Sequence, residues 1–334
     1  MNNIKNSHIA GIGYYVPDRV IDNNYFTKYM DTSDQWIRER TGIHERRFIS
    51  NEEGPSDLAI PAIKMALESA SMSKDDIDFI IFSTSTPDYY IPGSGCLVQE
   101  KMKFKNIGAL DIRCQCSGFI YGLSIADQYI KAGTYSNILV VTSEVQSTAM
   151  DLSNDGRDTS IIFADGAAAT IITSAKSDNE GLLSTHLHSE GKYAKELWVE
   201  APSSKQNPRL DNKILNDKKH FLHMNGKEVF KHAIKRFPEV IIEGLVHNNL
   251  TVNDIDILIP HQANIRISKM VQKKLGLKDE QVISNIHKYG NTTSASIPIA
   301  LYETIKNKKI KKGDILALAA FGSGFSWGSA IIKW

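Results

Sequence analysis

The chain has 334 residues, 42% of them hydrophobic, which is enough to bury a substantial core in one large or two medium domains. Lys and Arg total 39 against 38 Asp and Glu, so we expect neither nucleic acid nor a membrane as a partner. The start lacks a signal-peptide pattern, and no run of about 18 apolar residues occurs, which predicts a soluble, cytoplasmic protein. Cys96, Cys114 and Cys116 are too few and too clustered for a disulfide framework, so one of them is available as a working thiol.

In chain order, helix patterns alternate with short apolar strand patterns. Residues 58–70 and 116–131 carry apolar side chains at helical spacing, and the apolar run 79–81 between them predicts a strand. Such alternation predicts sheets covered by helices on both faces. Residues 14–55 and 184–220 do not fit the pattern, and we expect them to be insertions that cover a functional site.

The second half of the chain repeats the first. Residues 74–81 resemble residues 252–259, which lie 178 positions later, and residues 130–140 resemble residues 307–317, which lie 177 positions later. A repeat at constant spacing indicates two related β/α halves. We place them at 1–174 and 175–334, joined through residues 174–181.

Three residues could carry chemistry where strands give way to helices. Cys116 begins one helix pattern, and the repeat places it opposite Asn291 and the two residues that follow. A helix N-terminus favours a thiolate, so we expect a lowered pKa for Cys116. His261 follows a second-half strand at a position where the first half has Ser83. Strand ends meet at one edge of such sheets, and two neutral donors, imidazole and carboxamide, suit a developing enolate.

Plainer roles for these residues remain open at this point. A cysteine in an α/β core often serves only for packing. His261 beside Pro260 could be an ordinary core or surface residue. Asn291 after a glycine is equally typical of a turn or a helix cap.

Over almost its full length, the chain closely resembles the β-ketoacyl-acyl-carrier-protein synthase III family. The matching motifs are residues 31–37 (DTSDQWI), 40–43 (RTGI), 116–119 (CSGF), 126–129 (ADQY), 163–167 (FADGA), 224–230 (MNGKEVF), 261–264 (HQAN), 289–292 (YGNT) and 320–325 (AFGSGF). The resemblance implies an α/β thiolase fold, with two duplicated halves related by a pseudo-twofold axis and five layers in the order αβαβα.

The resemblance also implies roles for the three candidate residues. Cys116 would take an acyl group from acyl-CoA, and His261 and Asn291 would bind the thioester oxygen of a malonyl-carrier protein while carbon dioxide leaves. The backbone N–H groups of Cys116 and Ser323 resemble the oxyanion hole of the family, although Ser323 replaces the usual glycine. The implied substrates are a CoA thioester and a carrier protein bearing phosphopantetheine. No permanently bound cofactor and no metal is implied.

Further residues are expected to bind substrates by the same resemblance. Trp36 and Arg157 resemble the pair that holds the CoA adenine. The other predicted CoA contacts are Arg40, Lys227 and Asn264, and Arg266 is predicted to dock the carrier protein. The predicted acyl pocket comprises Ile91, Met224 and Phe321.

Two departures from the family bear on substrate choice. Residues 113–115 (RCQ) replace small residues before the nucleophile, and Ile91 stands where a bulky Phe is common. A smaller side chain should lengthen or reshape the cavity, so we expect starters longer than acetyl. The family forms homodimers, and residues 82–96 could pair across such an interface.

Other functions compete with a decarboxylating synthase. A specialised thiolase-fold acyltransferase could condense longer or unusual acyl chains in a secondary pathway, or use another acceptor without decarboxylation. A papain-like hydrolase would also combine Cys, His and Asn, but the local protease signature is absent. A non-catalytic scaffold is disfavoured, because Cys116, His261 and Asn291 are all intact.

Overall fold

The computed structural model describes residues 6–50, 52–177 and 180–334. The strands are β1 (Ser7–Tyr15), β2 (Val20–Asp22), β3 (Glu45–Arg47), β4 (Phe79–Ser83), β5 (Gly108–Ile112), β6 (Asn137–Glu144), β7 (Gly166–Ser174), β8 (Gly181–Ser189), β9 (Leu197–Val199), β10 (Leu222–Met224), β11 (Ile257–Pro260), β12 (Ile315–Gly322) and β13 (Ser326–Lys333). The helices are α1 (Asp34–Thr41), α2 (Pro55–Ala70), α3 (Ser94–Lys101), α4 (Gly118–Lys131), α5 (Arg157–Ser160), α6 (Asn212–Asn216), α7 (Gly226–His247), α8 (Ile265–Leu275), α9 (Ile286–Tyr289) and α10 (Ser296–Lys306).

Two mixed sheets have the same topology. The first has the order β1-β7-β6-β4-β5, and the second has the order β8-β13-β12-β11. In each, the central strands run parallel (β4 with β6, β11 with β12) and the next two pairings are antiparallel. The position that corresponds to β5 is reduced in the second sheet to an isolated parallel bridge between Leu258 and Val282. The duplication inferred from the sequence is therefore visible in the strand order.

The sheets and helices form five layers. Helices α2 and α3 pack outside the first sheet, α4 and α10 lie between the sheets, and α7 covers the outside of the second sheet beside α8. Strand β6 illustrates why the first sheet needs helices on both faces. Ile138 and Val140 point into the central core, whereas Leu139 and Val141 point toward α2. Alternation of apolar side chains on both faces requires helices on both sides.

The predicted elements agree with the structure, but the insertion limits need correction. The helix predicted over 58–70 is α2, and the one predicted over 116–131 is a short 3₁₀ turn, Gln115–Ser117, followed by α4. The predicted insertion 14–55 overlaps β1 at its start and α2 at its end, because sheet pairing and helix packing extend into it. The predicted insertion 184–220 begins inside β8, which pairs with β13 along its length. The predicted joining segment includes residues 178–179, which lie outside the described residues.

None of the helices in the described ranges has both the length and the apolar character needed to cross a bilayer. Within the same ranges, no group of three or more His, Cys, Asp or Glu side chains is arranged to hold a metal ion.

Candidate active site

Cys116 lies in the 3₁₀ turn that joins β5 to α4. Gln115, just before it, has a φ of 43°, an unusual backbone conformation for a non-glycine residue, so the chain turns sharply at the thiol. Cys116 is buried, with 7% of its surface exposed. Gly322, at the end of β12, packs directly against it, because a Cβ atom placed on Gly322 would lie 2.7 Å from Cβ of Cys116. The second half of the chain thus forms one wall around the sulfur.

His261 follows β11 and is held from two sides. Its backbone N–H donates to the carbonyl of Ala319 at 2.8 Å, and Nδ1 lies 2.6 Å from Oγ of Ser296 at the start of α10. The other ring nitrogen, Nε2, is buried and has no hydrogen-bond partner among the described residues. Burial lowers the pKa of His261 to about 3, so the ring is neutral at physiological pH.

Asn291 is fixed by three hydrogen bonds. Its backbone N–H donates to the carbonyl of Ile162 at 3.0 Å, and its carbonyl accepts from the N–H of Ala164 at 2.9 Å. Its side-chain Oδ1 accepts from the N–H of Thr293 at 2.8 Å. Because the amide oxygen is occupied, the Nδ2 group remains as the donor that Asn291 can offer to a ligand.

The three predicted residues meet in one cavity. Cys116, His261 and Asn291 line a space of about 120 Å³ together with mainly apolar side chains. Met224 and Phe321, two of the predicted acyl-pocket residues, are also in its wall. The sequence prediction that thiol, imidazole and carboxamide converge agrees with this geometry.

A larger cleft of about 420 Å³ adjoins this cavity. The two share Ile162, Met224, Gly226, Phe230 and Asn264 in their walls. The cleft is also lined by Trp36, Arg40, Lys227 and Arg266, which the sequence assigned to CoA and carrier-protein contacts. The three cationic side chains are exposed at its rim, where they can meet phosphate groups.

Helix caps position this cleft. Oγ of Ser33 accepts from the N–H of Trp36 at 3.1 Å and begins α1, which places Trp36 and Arg40 four residues apart on one helix face. Asn264 caps α8 by accepting from the N–H of Arg266 at 2.9 Å, and its Nδ2 donates to the carbonyl of Arg40 at 2.9 Å. The inserted α1 is thereby tied to the second half.

The chain is similar to known proteins over almost its full length. The family model described as 3-Oxoacyl-[acyl-carrier-protein (ACP)] synthase III matches residues 110–191, and the model of its C terminal matches residues 245–334. The β-ketoacyl-[acyl-carrier-protein] synthase III of Clostridioides difficile is 43% identical over 326 residues, 98% of either chain. That of Fusobacterium nucleatum is 44% identical over the same share. The crystal structure of the Aquifex aeolicus 3-oxoacyl-[acyl-carrier-protein] synthase III is 39% identical, has a TM-score of 0.89, and is matched over 98% of this chain and 100% of that one.

The chain belongs to the β-ketoacyl-acyl-carrier-protein synthase III family. The predicted family, the thiolase fold and the acyltransferase class are therefore confirmed.

The predicted adenine pair is already in contact in this synthase. The guanidinium of Arg157 lies 4.8 Å from the centre of the Trp36 ring, and that of Arg40 lies 4.6 Å from it. Arg157 also donates to the carbonyl of Asp31 at 3.1 Å. A nucleobase that stacks on the Trp36 ring would have to displace the guanidinium of Arg40 or Arg157.

Ser323 follows Gly322 directly, one residue beyond the cavity wall. Its hydroxyl donates to the carbonyl of Leu197. Because the hydroxyl is already used, the predicted oxyanion role of Ser323 depends on its backbone N–H alone.

Ile91, the third predicted acyl-pocket residue, does not line the cavity within this single chain. It is 80% exposed, in the loop between β4 and α3, beside the exposed rings of Tyr89 and Tyr90.

The expected pKa of the nucleophile was wrong. Burial raises the pKa of the Cys116 thiol to about 12, and the carboxylate of Glu144 contributes to the rise. The cost of removing a thiolate from water outweighs the field of a helix that begins with a 3₁₀ turn. Thiol and neutral imidazole are the resting forms.

Sequence reasoning missed Ser296, Gly322 and Glu144. Ser296 is one of several hydroxyl residues in the stretch 292–296, and nothing local singles it out. Glu144 had a signal that could have been used, since it ends an otherwise uncharged, apolar strand. A lone carboxylate in such a position is buried at a cost unless it has a function.

Proposed function

We propose that this synthase condenses an acyl-CoA with malonyl-acyl carrier protein, releasing carbon dioxide and giving a β-ketoacyl-acyl carrier protein for fatty-acid or related biosynthesis. The observation that carries the proposal is the single cavity in which a thiol, an imidazole nitrogen without a partner and a fixed carboxamide meet. The relatives' names supply the reaction class.

In the first half-reaction, Sγ of Cys116 attacks the carbonyl carbon of the acyl-CoA. The C–S bond to CoA breaks, and the thiol proton leaves with the CoA sulfur, so that acyl-Cys116 and free CoA result. Backbone N–H groups of Cys116 and Ser323 would hold the oxyanion during this transfer. Because the resting thiol has a raised pKa, the proton leaves as the bond to carbon forms.

In the second half-reaction, the malonyl thioester oxygen accepts hydrogen bonds from Nε2 of His261 and Nδ2 of Asn291. Loss of carbon dioxide leaves its electron pair as an enolate, whose carbon attacks the acyl-Cys116 carbonyl. The C–S bond to Cys116 breaks, and the thiolate that leaves takes up a proton from solvent. If Ser296 donates to Nδ1, the imidazole proton sits on Nε2, where the enolate oxygen needs it. Every step uses groups of the chain and its substrates, so no permanent cofactor is required.

The adjoining cleft supports the substrate assignment. Trp36, Arg40, Arg157, Lys227 and Asn264 would bind the nucleotide and the pantetheine arm of CoA. Arg266 would dock the acidic carrier protein. The arm would then pass between the shared walls of the cleft to Cys116. Both substrates place the reaction in the cytoplasm.

The exposed loop of residues 87–93 supports a homodimer. It presents the rings of Tyr89 and Tyr90 and the side chain of Ile91 to the outside, next to the edge strand β5. Exposed apolar groups beside an unpaired edge favour association with a second copy. We propose that Ile91 of the second copy closes the acyl pocket, together with Met224 and Phe321, and that the pocket accepts starters longer than acetyl.

The test is a turnover assay with a panel of acyl-CoAs and malonyl-carrier protein labelled in the free carboxylate. We expect one labelled carbon dioxide for each β-ketoacyl product, and neither product in Cys116→Ser. Product formation without carbon dioxide would favour the alternative, a specialised acyltransferase that condenses longer or unusual acyl chains in a secondary pathway.

A further inference from the structure

Glu144 is a buried carboxylate that the reaction above does not use. It ends β6 and has no exposed surface. Its Oε2 accepts from the N–H of Ser85 at 3.0 Å, from Oγ of Ser85 at 2.6 Å, and from Thr86 and Gln146 side chains at 3.3 Å each. Its Oε1 accepts from Oγ of Ser294 at 2.7 Å. Burial raises the pKa of the Glu144 carboxyl above its usual value, and the hydrogen bonds from Ser85 and Ser294 oppose that rise by favouring the anion.

The same bonds fix the turn that carries Asn291. Nε2 of Gln146 reaches Oγ1 of Thr293 at 3.2 Å, and the N–H of Thr293 holds Oδ1 of Asn291. Thr293 has a φ of 51°, which is unfavourable for a β-branched residue. Such a conformation persists only where neighbouring groups hold it, and Glu144 with Gln146 does so here.

The pseudo-twofold repeat makes this arrangement the counterpart of the nucleophile turn. Gln115 and Thr293, 178 positions apart, both begin a 3₁₀ turn with positive φ, so Ser294 corresponds to Cys116, one residue beyond the predicted counterpart 291–293. By the same offset, Glu144 corresponds to Gly322. In one half a cysteine packs on a glycine, and in the other a serine is bonded to a buried acid.

We propose that Glu144 is a positioning residue for the condensation, clamping the turn that carries Asn291 against the nucleophile turn through its buried carboxylate. This role rests on the proposed function. A second consequence does not depend on the proposed function: the negative charge of Glu144 opposes a thiolate at Cys116.

Among the described charged groups around β6, Glu144 is the one that acts on the Cys116 thiol. Strands β4 and β7 carry no charged side chain. Asp165 accepts from the N–H groups of Ile49, Gln146 and Ser147. The remaining titratable groups on the helices packed against β6 are Asp57, Lys64, Glu68, Tyr121, Asp127, Tyr129 and Lys131, and His261 is the neutral group across the cavity. Glu144 is therefore the acid whose removal should change Cys116.

The test replaces Glu144 by Gln in a chain that also carries Cys96→Ser and Cys114→Ser. Iodoacetamide labelling of Cys116 is measured against pH by intact mass. Removal of the anion should lower the pKa of the Cys116 thiol, so labelling at pH 8 should become faster, by a factor of ten for each unit of pKa. Glu144→Asp restores the charge and should return the profile toward that of the parent.

The second readout separates the two half-reactions. In Glu144→Gln, carbon dioxide release from malonyl-carrier protein should fall at least about tenfold in kcat with little change in KM, because Asn291 loses its support. Asp127→Asn is the matched control: Asp127 is buried and bonded to Ser7 at 2.8 Å, but it does not act on Cys116. It should leave both readouts unchanged.

The proposal would be overturned if Glu144→Gln were labelled and released carbon dioxide at the parent rates. It would also be overturned if Asp127→Asn changed both readouts as much as Glu144→Gln does. Should Glu144→Gln fail to fold, Ser294→Ala removes one bond and keeps the charge. It should slow carbon dioxide release and leave the labelling profile unchanged, and normal release would overturn the clamp. A parent enzyme that releases no carbon dioxide would instead refute the proposed function, while the labelling result would still stand.

Discussion

Oγ of Ser296 lies 2.6 Å from Nδ1 of His261 and accepts from the backbone N–H of Gln262 at 3.3 Å. The contact joins the start of α10 to the end of β11. It fixes the orientation of a neutral ring whose other nitrogen, Nε2, has no hydrogen-bond partner among the described residues. A Ser296 hydroxyl that donates to Nδ1 leaves the imidazole proton on Nε2, where substrate can accept from it.

Removing that contact should weaken enolate stabilisation. In Ser296→Ala, we expect carbon dioxide release from malonyl-carrier protein to fall about tenfold, the value of one well-formed hydrogen bond of about 1.4 kcal/mol. Acyl transfer to Cys116 should change much less. Ser329→Ala, which removes a buried hydroxyl bonded to the carbonyl of Val240 at 2.7 Å, is the control. An equal loss in both variants would mean that Ser296 only supports the fold.

Burial of His261 predicts a pH dependence of stability. Its pKa falls from 6.5 to about 3 in the folded chain, so protons bind the unfolded state preferentially below pH 6.5. The contribution is therefore complete above pH 6.5 and is lost as the pH falls toward 3. Between pH 6.5 and 5, wild type should lose about 2 kcal/mol of unfolding free energy more than His261→Gln does, measured by urea denaturation. If the unfolding free energies of wild type and His261→Gln changed in parallel with pH, the buried neutral imidazole would be contradicted.

Trp36 should act on the nucleotide part of CoA only. Trp36→Ala removes a stacking surface worth about 1–3 kcal/mol per base, so KM for acyl-CoA should rise by about tenfold or more. KM for an acyl-pantetheine, which lacks the nucleotide, should not change. Val246→Ala, at an exposed position near the end of α7, serves as a control for general surface effects. A rise in KM for both acyl-CoA and acyl-pantetheine would indicate a damaged cleft rather than the loss of stacking on the nucleobase.

Ile91 should set chain length from a second copy. Ile91→Phe adds volume at the end of the proposed pocket, so the preferred acyl-CoA should become shorter by about two or more carbons, because overpacking an apolar site is unfavourable. The readout is kcat/KM across an acyl-CoA series. Val199→Phe, at another exposed apolar position, is the comparison. An unchanged series in Ile91→Phe would place this loop outside the acyl pocket.

The parts of the structure that the sequence predicted are those encoded by periodic or repeated patterns. The halves and the positions of Cys116 and His261 followed from buried strands at a constant offset. The roles of Ser296, Ser294 and Glu144 could not be predicted, because a hydroxyl or a carboxylate acquires a role only when another segment meets it. The predicted pKa of Cys116 was wrong for a related reason: its local helix start was visible in the sequence, but its burial against Gly322 and the charge of Glu144 were not. The exposure of Ile91 likewise depends on the direction of a loop.

The most direct test of the account is intact mass measurement of the chain during the two half-reactions. After incubation with acyl-CoA, the mass should increase by one acyl group, located on Cys116 by its absence in Cys116→Ser. Addition of malonyl-carrier protein should then remove that mass and produce β-ketoacyl-carrier protein. In Asn291→Ala, the acyl mass should form and persist. An acyl group that survives Cys116→Ser, or one that wild type does not transfer to malonyl-carrier protein, would contradict the account.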